Sequence, residues 1–223
     1  MAGTPLRAAL VEQGALLFAR YGVAGVTTRQ LHEAVGSRNE SALHYHFGDR
    51  QGLVTEILRA HLDAVEGRRA RLVARLVADD RTADLRSLVH ALAAPMADDL
   101  PDPVGRAHLR IVLQLSHPSL AYERPFQVVE APAGRAVVRW LADALAGLPS
   151  AVRRERLAAL RVQLIGLFGL RAQLLDDDTE GAMAGGNELF VENLLDMLVA
   201  GLATPPSDAT VAADAARAAP TLT

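Results

Sequence analysis

Apolar residues recur every three or four positions along most of the chain, which is the period of helices with one buried face. Seven stretches carry the pattern: 5–21, 51–77, 82–100, 104–116, 137–145, 157–175 and 189–202. Pro101 and Pro103 separate two of these stretches, because proline cannot continue a helix. Half of the 223 residues are apolar and few are aromatic, which is typical of packed helices. The sequence therefore predicts an all-α protein.

The first stretch reads as a supporting helix. Thr4-Pro5 provides a capping hydroxyl and a proline suited to the first helical position, and Gly22 provides the stop. The apolar stripe comprises Leu6, Leu10, Gly14, Leu17 and Tyr21, with Val11 and Phe18 beside it.

Two short helices joined by a tight turn are predicted between Thr27 and Arg50. Thr27 followed by Gln30 matches a capping box, which starts the first of them. Its inward residues are expected to be Leu31, Ala34 and Val35, and Gly36 ends it, because a residue without Cβ enters the left-handed cap conformation at little cost.

The second short helix has two candidate caps, Ser37 with Glu40 three residues later, or Asn39. Leu43 and Phe47, four residues apart, form its expected core face. The outward residues are small, aromatic or hydrogen-bonding: Ser41, Ala42, His44, Tyr45 and His46. A helix that only met water would carry long charged residues there, so this face is predicted to enter the major groove of DNA.

Thr27-Thr28-Arg29-Gln30-Leu31, Leu43-His44-Tyr45-His46-Phe47 and Arg50 together resemble the DNA-binding head of the tetracycline-repressor (TetR) family, over roughly the first sixty residues. The turn from Gly36 to Ser41 is one residue longer than the commonest form of that family. The resemblance implies that Thr28 contacts a phosphate, Arg29 a base edge, and Arg50 a phosphate. It also implies a recognition helix that faces DNA with the following residues: Asn39, Ser41, Ala42, His44, Tyr45 and His46.

The resemblance further implies three regions. Residues 1–52 would form the DNA-binding head, 53–203 a helical body for ligand binding and dimerisation, and 204–223 a flexible tail. The tail is rich in Ala, Thr, Pro and Asp, and such a segment buries little apolar surface.

Two helices near the carboxyl end, 157–175 and 189–202, are apolar nearly all round, so neither is expected to keep a wet face. Two copies of the chain would bury them in a four-helix interface. Gly166 and Gly169 lie inside the first of these helices, where glycine is unfavourable, so another helix is predicted to pack closely there. The expected interface residues are Leu157, Leu164, Phe168, Gly169, Leu194 and Leu198.

Arg110, Gln114 and His117 form a polar stripe on an otherwise apolar helix. They are either its solvent side or, with Trp140, the wall of a pocket for an unknown small hydrophobic ligand.

Composition narrows the classes of function. The chain has no cysteine, which excludes disulfides and cysteine-bound metals and fits a reducing interior. No apolar run approaches ~20 residues, so the expectation is a cytoplasmic protein with no membrane partner. Asp176-Asp177-Asp178 lacks the spaced ligands of a calcium loop and is interpreted as a solvated connection. His44 and His46 lie two apart, on different sides of a helix, so they form a poor metal pair.

The sequence has no serine elbow, phosphate loop or His-Glu-x-x-His segment, so neither an enzyme nor a cofactor is predicted. The net charge is -3, while residues 1–52 carry +1. The leading hypothesis is a homodimeric, ligand-responsive repressor that binds a palindromic DNA operator. The alternatives are an all-helical small-molecule carrier or a protein-interaction module.

Overall fold

The structure is a computed structural model of one chain, and it describes residues 5–37, 41–116, 130–177 and 186–218. All regular structure in these ranges is helical, which confirms the predicted all-α class. The helices are α1 (Pro5–Tyr21), α2 (Thr28–Ala34), α3 (Ser41–Phe47), α4 (Arg50–Ala78), α5 (Leu85–Ala97), α6 (Pro103–Leu115), α7 (Pro132–Ala144), α8 (Ser150–Asp176), α9 (Gly186–Ala203) and α10 (Asp208–Ala218).

The chain divides into two compact units that do not follow the order of the sequence. The first unit comprises residues 1–67, 95–131 and 165–184, and the second comprises residues 68–94, 132–164 and 185–223. The expected head, residues 1–52, lies wholly in the first unit. Its division from a body that begins at residue 53 stays a prediction.

A hydrophobic core joins helices of the first unit. Phe18 of α1, Leu31 of α2, Leu43 of α3 and Ile57 of α4 belong to it, and so does Ile111 of α6. Three short helices bury little apolar surface by themselves. Helix α6 therefore completes the core of the expected DNA-binding head.

The buried faces of α1 and α2 differ in part from the predicted ones. Tyr21 is 52% exposed rather than part of the buried stripe, because it is the last residue of α1 and the core lies on the side of Phe18 and Ala19. In α2 the inward residues are Leu31 and His32, whereas Ala34 is exposed. Neither ring nitrogen of His32 has a hydrogen-bond partner among the described residues, although the side chain is buried.

A cluster of polar side chains joins α4 to α6 within the first unit. The rings of His61 and His108 are stacked with 4.5 Å between centroids. Nδ1 of His61 lies 3.7 Å from Oδ2 of Asp99, which is also buried. Burial lowers the pKa of His108 to about 4, against a small opposing effect of the Asp102 carboxylate.

The tail contains a helix that was not predicted. Helix α10 covers Asp208–Ala218, and its described side chains are almost all exposed. The flexibility of 204–223 stays a prediction.

Candidate nucleic-acid interface

Helix α2 begins at the predicted capping box. The amide of Gln30 donates to Oγ1 of Thr27 (3.3 Å), and the amide of Thr27 donates to Oε1 of Gln30 (2.8 Å). At the other end Gly36 has a φ of +63°, the left-handed conformation expected for it. Both ends of α2 are therefore set by local sequence.

Thr28 and Arg29 lie on the exposed side of α2. The Arg29 side chain is 83% exposed, and its Nε lies 3.1 Å from Oε1 of Glu33. An exposed pair at this spacing contributes only ~0.3–0.5 kcal/mol. The guanidinium of Arg29 is therefore readily available to another partner.

Helix α3 presents Ser41, His44 and Tyr45 to solvent, at positions i, i+3 and i+4. Tyr45 is 84% exposed, and its ring meets the edge of the half-buried His46 ring with 5.0 Å between centroids. Side chains at this spacing share one face of a helix. The exposed face thus carries hydroxyl, imidazole and phenol groups.

Ala42 does not belong to that face. Its side chain is 3% exposed and is buried on the same side as Leu43. A methyl group covered by its own chain cannot meet a base, so the assignment of Ala42 to DNA contact is wrong. The inward positions of Leu43 and of the half-buried Phe47 agree with the prediction.

His44 also holds the end of α3. Its Nδ1 lies 2.5 Å from the carbonyl oxygen of Gly48, and a carbonyl only accepts, so Nδ1 carries the proton. Nε2 of the neutral ring is then an acceptor.

Arg50, expected to contact a phosphate, is engaged with backbone groups. Its Nη1 donates to the carbonyl oxygens of Ala24 (3.2 Å) and Val26 (2.8 Å). These residues lie in the connection between α1 and α2. The structure therefore gives Arg50 an intramolecular role, and phosphate contact stays a prediction.

Two predicted site residues, Asn39 and His117, lie outside the described residues, as does Glu40, the expected capping partner of Ser37. The choice between Ser37 and Asn39 as the cap of α3 therefore stays open.

Two residues of the polar stripe of α6, Arg110 and Gln114, contact other parts of the chain, and their binding of a ligand stays a prediction. Nη1 of Arg110 lies 2.8 Å from Oδ2 of Asp176, and Nε of Arg106 lies 2.5 Å from Oδ1 of the same carboxylate. Gln114 contacts the backbone of α1. Asp176 is therefore an ion-pair partner of two arginines as well as an exposed residue. Trp140 lies half-buried on α7.

The apolar residues expected between two copies are largely covered by their own chain. Leu164, Phe168, Leu194 and Leu198 are buried, which leaves them no area for a partner, while Leu157 is half-buried. Gly169 faces Leu113 of α6. The large exposed apolar residues on α8 and α9 are instead Val162, Leu170, Leu189 and Met197.

The second unit contains a groove of about 330 Å³ between α4, α5 and α9. Its apolar lining includes Leu72, Leu76 and Leu195, and its polar lining includes Arg75 and His90. The volume is at the lower end of ligand pockets.

By length and composition, helix α8 could cross a membrane. The search for one continuous apolar run of ~20 residues did not detect it. One third of its most apolar window is buried in the chain. The core helix of a soluble protein passes the same test.

Comparison with known proteins gives one informative match. No protein-family profile matches the chain. Over 83 residues the chain is 36% identical to the HTH-type transcriptional repressor KstR2 of Rhodococcus jostii (strain RHA1). This similarity supports a transcriptional regulator. The match spans 37% of this chain and 39% of the relative, so it says nothing about the remainder of either.

Proposed function

We propose that the chain is a ligand-responsive transcriptional repressor of the TetR family that binds a palindromic DNA operator as a homodimer in the cytoplasm. The main support is the exposed face of Ser41, His44 and Tyr45 on α3, beside Thr28 and Arg29 on α2. Small and hydrogen-bonding side chains let a helix approach base edges and phosphates closely. The similarity to a repressor supports the same assignment.

The test is a footprint on DNA from upstream of the protein's own gene, with Arg29→Ala as the variant. We expect a protected palindrome, and a loss of affinity of about 5- to 150-fold in the variant, as for removal of a base contact worth ~1–3 kcal/mol. Arg217→Ala is the control, because Arg217 is an exposed arginine on α10 paired only with a nearby aspartate. No footprint, or equal losses in both variants, contradicts the proposal.

Dimerisation is proposed through the exposed apolar residues of α8 and α9. Val162, Leu189 and Met197 are large apolar side chains of the second unit that the chain leaves exposed, and a second copy would bury them. Two heads then bind half-sites roughly 34–36 Å apart. Sedimentation at micromolar concentration is expected to show a dimer, and Met197→Glu is expected to weaken it, whereas Val211→Glu on α10 is the matched exposed control.

For the ligand, we propose the groove between α4, α5 and α9. Arg110 and Gln114, the residues first expected to bind it, are engaged elsewhere. The groove joins an apolar floor of Leu72, Leu76 and Leu195 to a polar rim that includes arginine, aspartate and glutamate, which suits a small molecule with both apolar and polar groups. A thermal-shift screen of such compounds, repeated with Leu72→Arg at a half-buried lining position, tests the site, and any hit that persists in the variant binds elsewhere.

A carrier or a protein-interaction module makes a different prediction. Phosphate contacts release counterions, so the logarithm of operator affinity falls steeply with the logarithm of salt concentration. Neither alternative requires such a slope.

A further inference from the structure

The side-chain amide of Gln114 contacts three backbone groups at the end of α1. Its Nε2 donates to the carbonyl oxygens of Phe18 (3.2 Å) and Ala19 (3.3 Å), and its Oε1 accepts from the amide of Val23 (3.1 Å). Helix α1 ends at Tyr21, so these carbonyls belong to its last turn, and that of Phe18 also accepts from the amide of Gly22 (3.0 Å). A residue of α6 thus caps α1.

Helix α4 also donates hydrogen bonds to the segment that follows α1. Residues 22–27 join α1 to α2, and Arg50 at the start of α4 donates to two carbonyls within it. Val23 and Val26 of this segment are buried. Helix α2, which carries Thr28 and Arg29, begins at the next residue. The position of α2 is therefore set by hydrogen bonds from α4 and from α6.

Helix α6 is itself fixed at other points in the first unit. Arg106 and Arg110 bind the Asp176 carboxylate of α8, and His108 stacks on His61 of α4. Side-chain contacts at several levels therefore tie α6 to α4 and α8, while Gln114 in its last turn binds the end of α1.

We infer that Gln114 is a positioning residue that couples α6 to the DNA-reading helices. The inference rests on the proposed function. The three hydrogen bonds are near the upper end of normal lengths, so a displacement of α6 by roughly 0.5 Å breaks them. Their loss releases the connection between α1 and α2, and Arg29 and Thr28 lose their register against DNA. Displacement of α6 thus lowers operator affinity without any change in the reading residues.

Gln114→Met tests this, because methionine is similar in length and unbranched but supplies neither amide group. Gln173→Met on α8 is the control, because Gln173 is exposed. Two quantities are measured: hydrogen exchange of the Val23 amide, and affinity for the operator relative to random DNA. We expect exchange to rise and operator affinity to fall, each about tenfold, with random-DNA affinity unchanged.

The outcomes separate the coupling from a merely structural role and from the proposed function. A fall in thermal stability with an unchanged ratio of operator to random-DNA affinity makes Gln114 a structural residue only and overturns the inference. An unchanged Val23 amide overturns it as well. If the wild-type protein shows no preference for the operator, the proposed function is refuted. The coupling is then refuted as well, whatever the exchange rate of the Val23 amide. If the methionine variant unfolds, Gln114→Asn keeps the amide but shortens its reach, and the same outcomes apply.

Discussion

Gly166 and Gly169 lie one turn apart in the middle of α8, yet substitution by alanine is expected to have opposite effects. A Cβ at Gly166 meets no atom within 4 Å, whereas a Cβ at Gly169 lies 2.7 Å from Cβ and 2.8 Å from Cδ2 of Leu113. The Leu113 Cβ is fixed to the backbone of α6 and cannot rotate away. Relief therefore requires α6 and α8 to separate.

The magnitudes follow from helix propensity and overpacking. Alanine is favoured over glycine inside a helix by ~1 kcal/mol, so Gly166→Ala raises the free energy of unfolding by about that amount. At Gly169 the same gain is set against an overpacking cost of ~1–3 kcal/mol. The two variants thus differ by ~2 kcal/mol, which is a difference of about 4–8 °C in Tm for a chain of this size.

The assay is thermal unfolding followed by circular dichroism at one fixed protein concentration, because the proposed dimerisation would make Tm depend on concentration. Leu113→Ala is the matched second change. It is expected to cost less in Gly169→Ala than in wild-type protein, since it removes the contact with Cδ2, while the contact with Cβ stays. A Gly169→Ala variant as stable as Gly166→Ala refutes the close approach. A stabilisation of Gly166→Ala that vanishes on dilution places Gly166 in the dimer interface.

Three further substitutions test individual contacts. Arg50→Gln is expected to weaken operator binding through loss of the bonds to Ala24, with the salt slope unchanged. His32→Leu replaces two buried ring nitrogens that lack partners among the described residues, so the free energy of unfolding measured in urea rises by ~1 kcal/mol. The pKa of His108 is about 4 in the folded chain and 6.5 in the reference state, so protons bind the unfolded chain first as pH falls. Stability is expected to fall between pH 6.5 and 4, by up to ~3 kcal/mol, and less in His108→Phe, which keeps a ring against His61.

Each of these three predictions has an outcome that would contradict it. A salt slope that drops by ~0.9 in Arg50→Gln indicates a phosphate contact after all. A less stable His32→Leu shows that the imidazole has a partner in solution. Equal pH dependence of urea unfolding in wild-type protein and His108→Phe shows that other groups titrate between those pH values.

Local signals in the sequence predicted local structure well. The capping box of Thr27, the turn at Gly36 and the break at Pro101 each depend on residues within a few positions, and the structure places all three as expected. The same holds for the inward Leu43. The local signals placed Ala42 on the wrong face of α3. Neighbouring residues of a seven-residue helix lie on different faces, and the packing of α3 decides which of them point inward.

Partners distant in sequence were not predicted, for a physical reason. Arg110 and Gln114 form a stripe whose chemistry suits water, a ligand or another helix equally, and only the folded chain puts Asp176 and the end of α1 beside them. Periodicity reports which side of a helix is polar, but it carries no information on what that side meets.

The predicted dimer surface shows the same limit for apolar residues: their pattern does not say what they contact. Helices α8 and α9 are apolar nearly all round, and the pattern could not divide residues covered by their own chain from residues left for a second copy. Leu164 and Leu198 proved to be core, while Val162 and Met197 stayed exposed. If a second copy covers the exposed residues, the helices are apolar for two reasons, packing within the protomer and contact between protomers. A polar substitution shows which reason applies to a given residue. At Leu198 it unfolds the protomer, whereas at Met197 it dissociates two folded protomers, so unfolding and sedimentation together assign each residue to one cause.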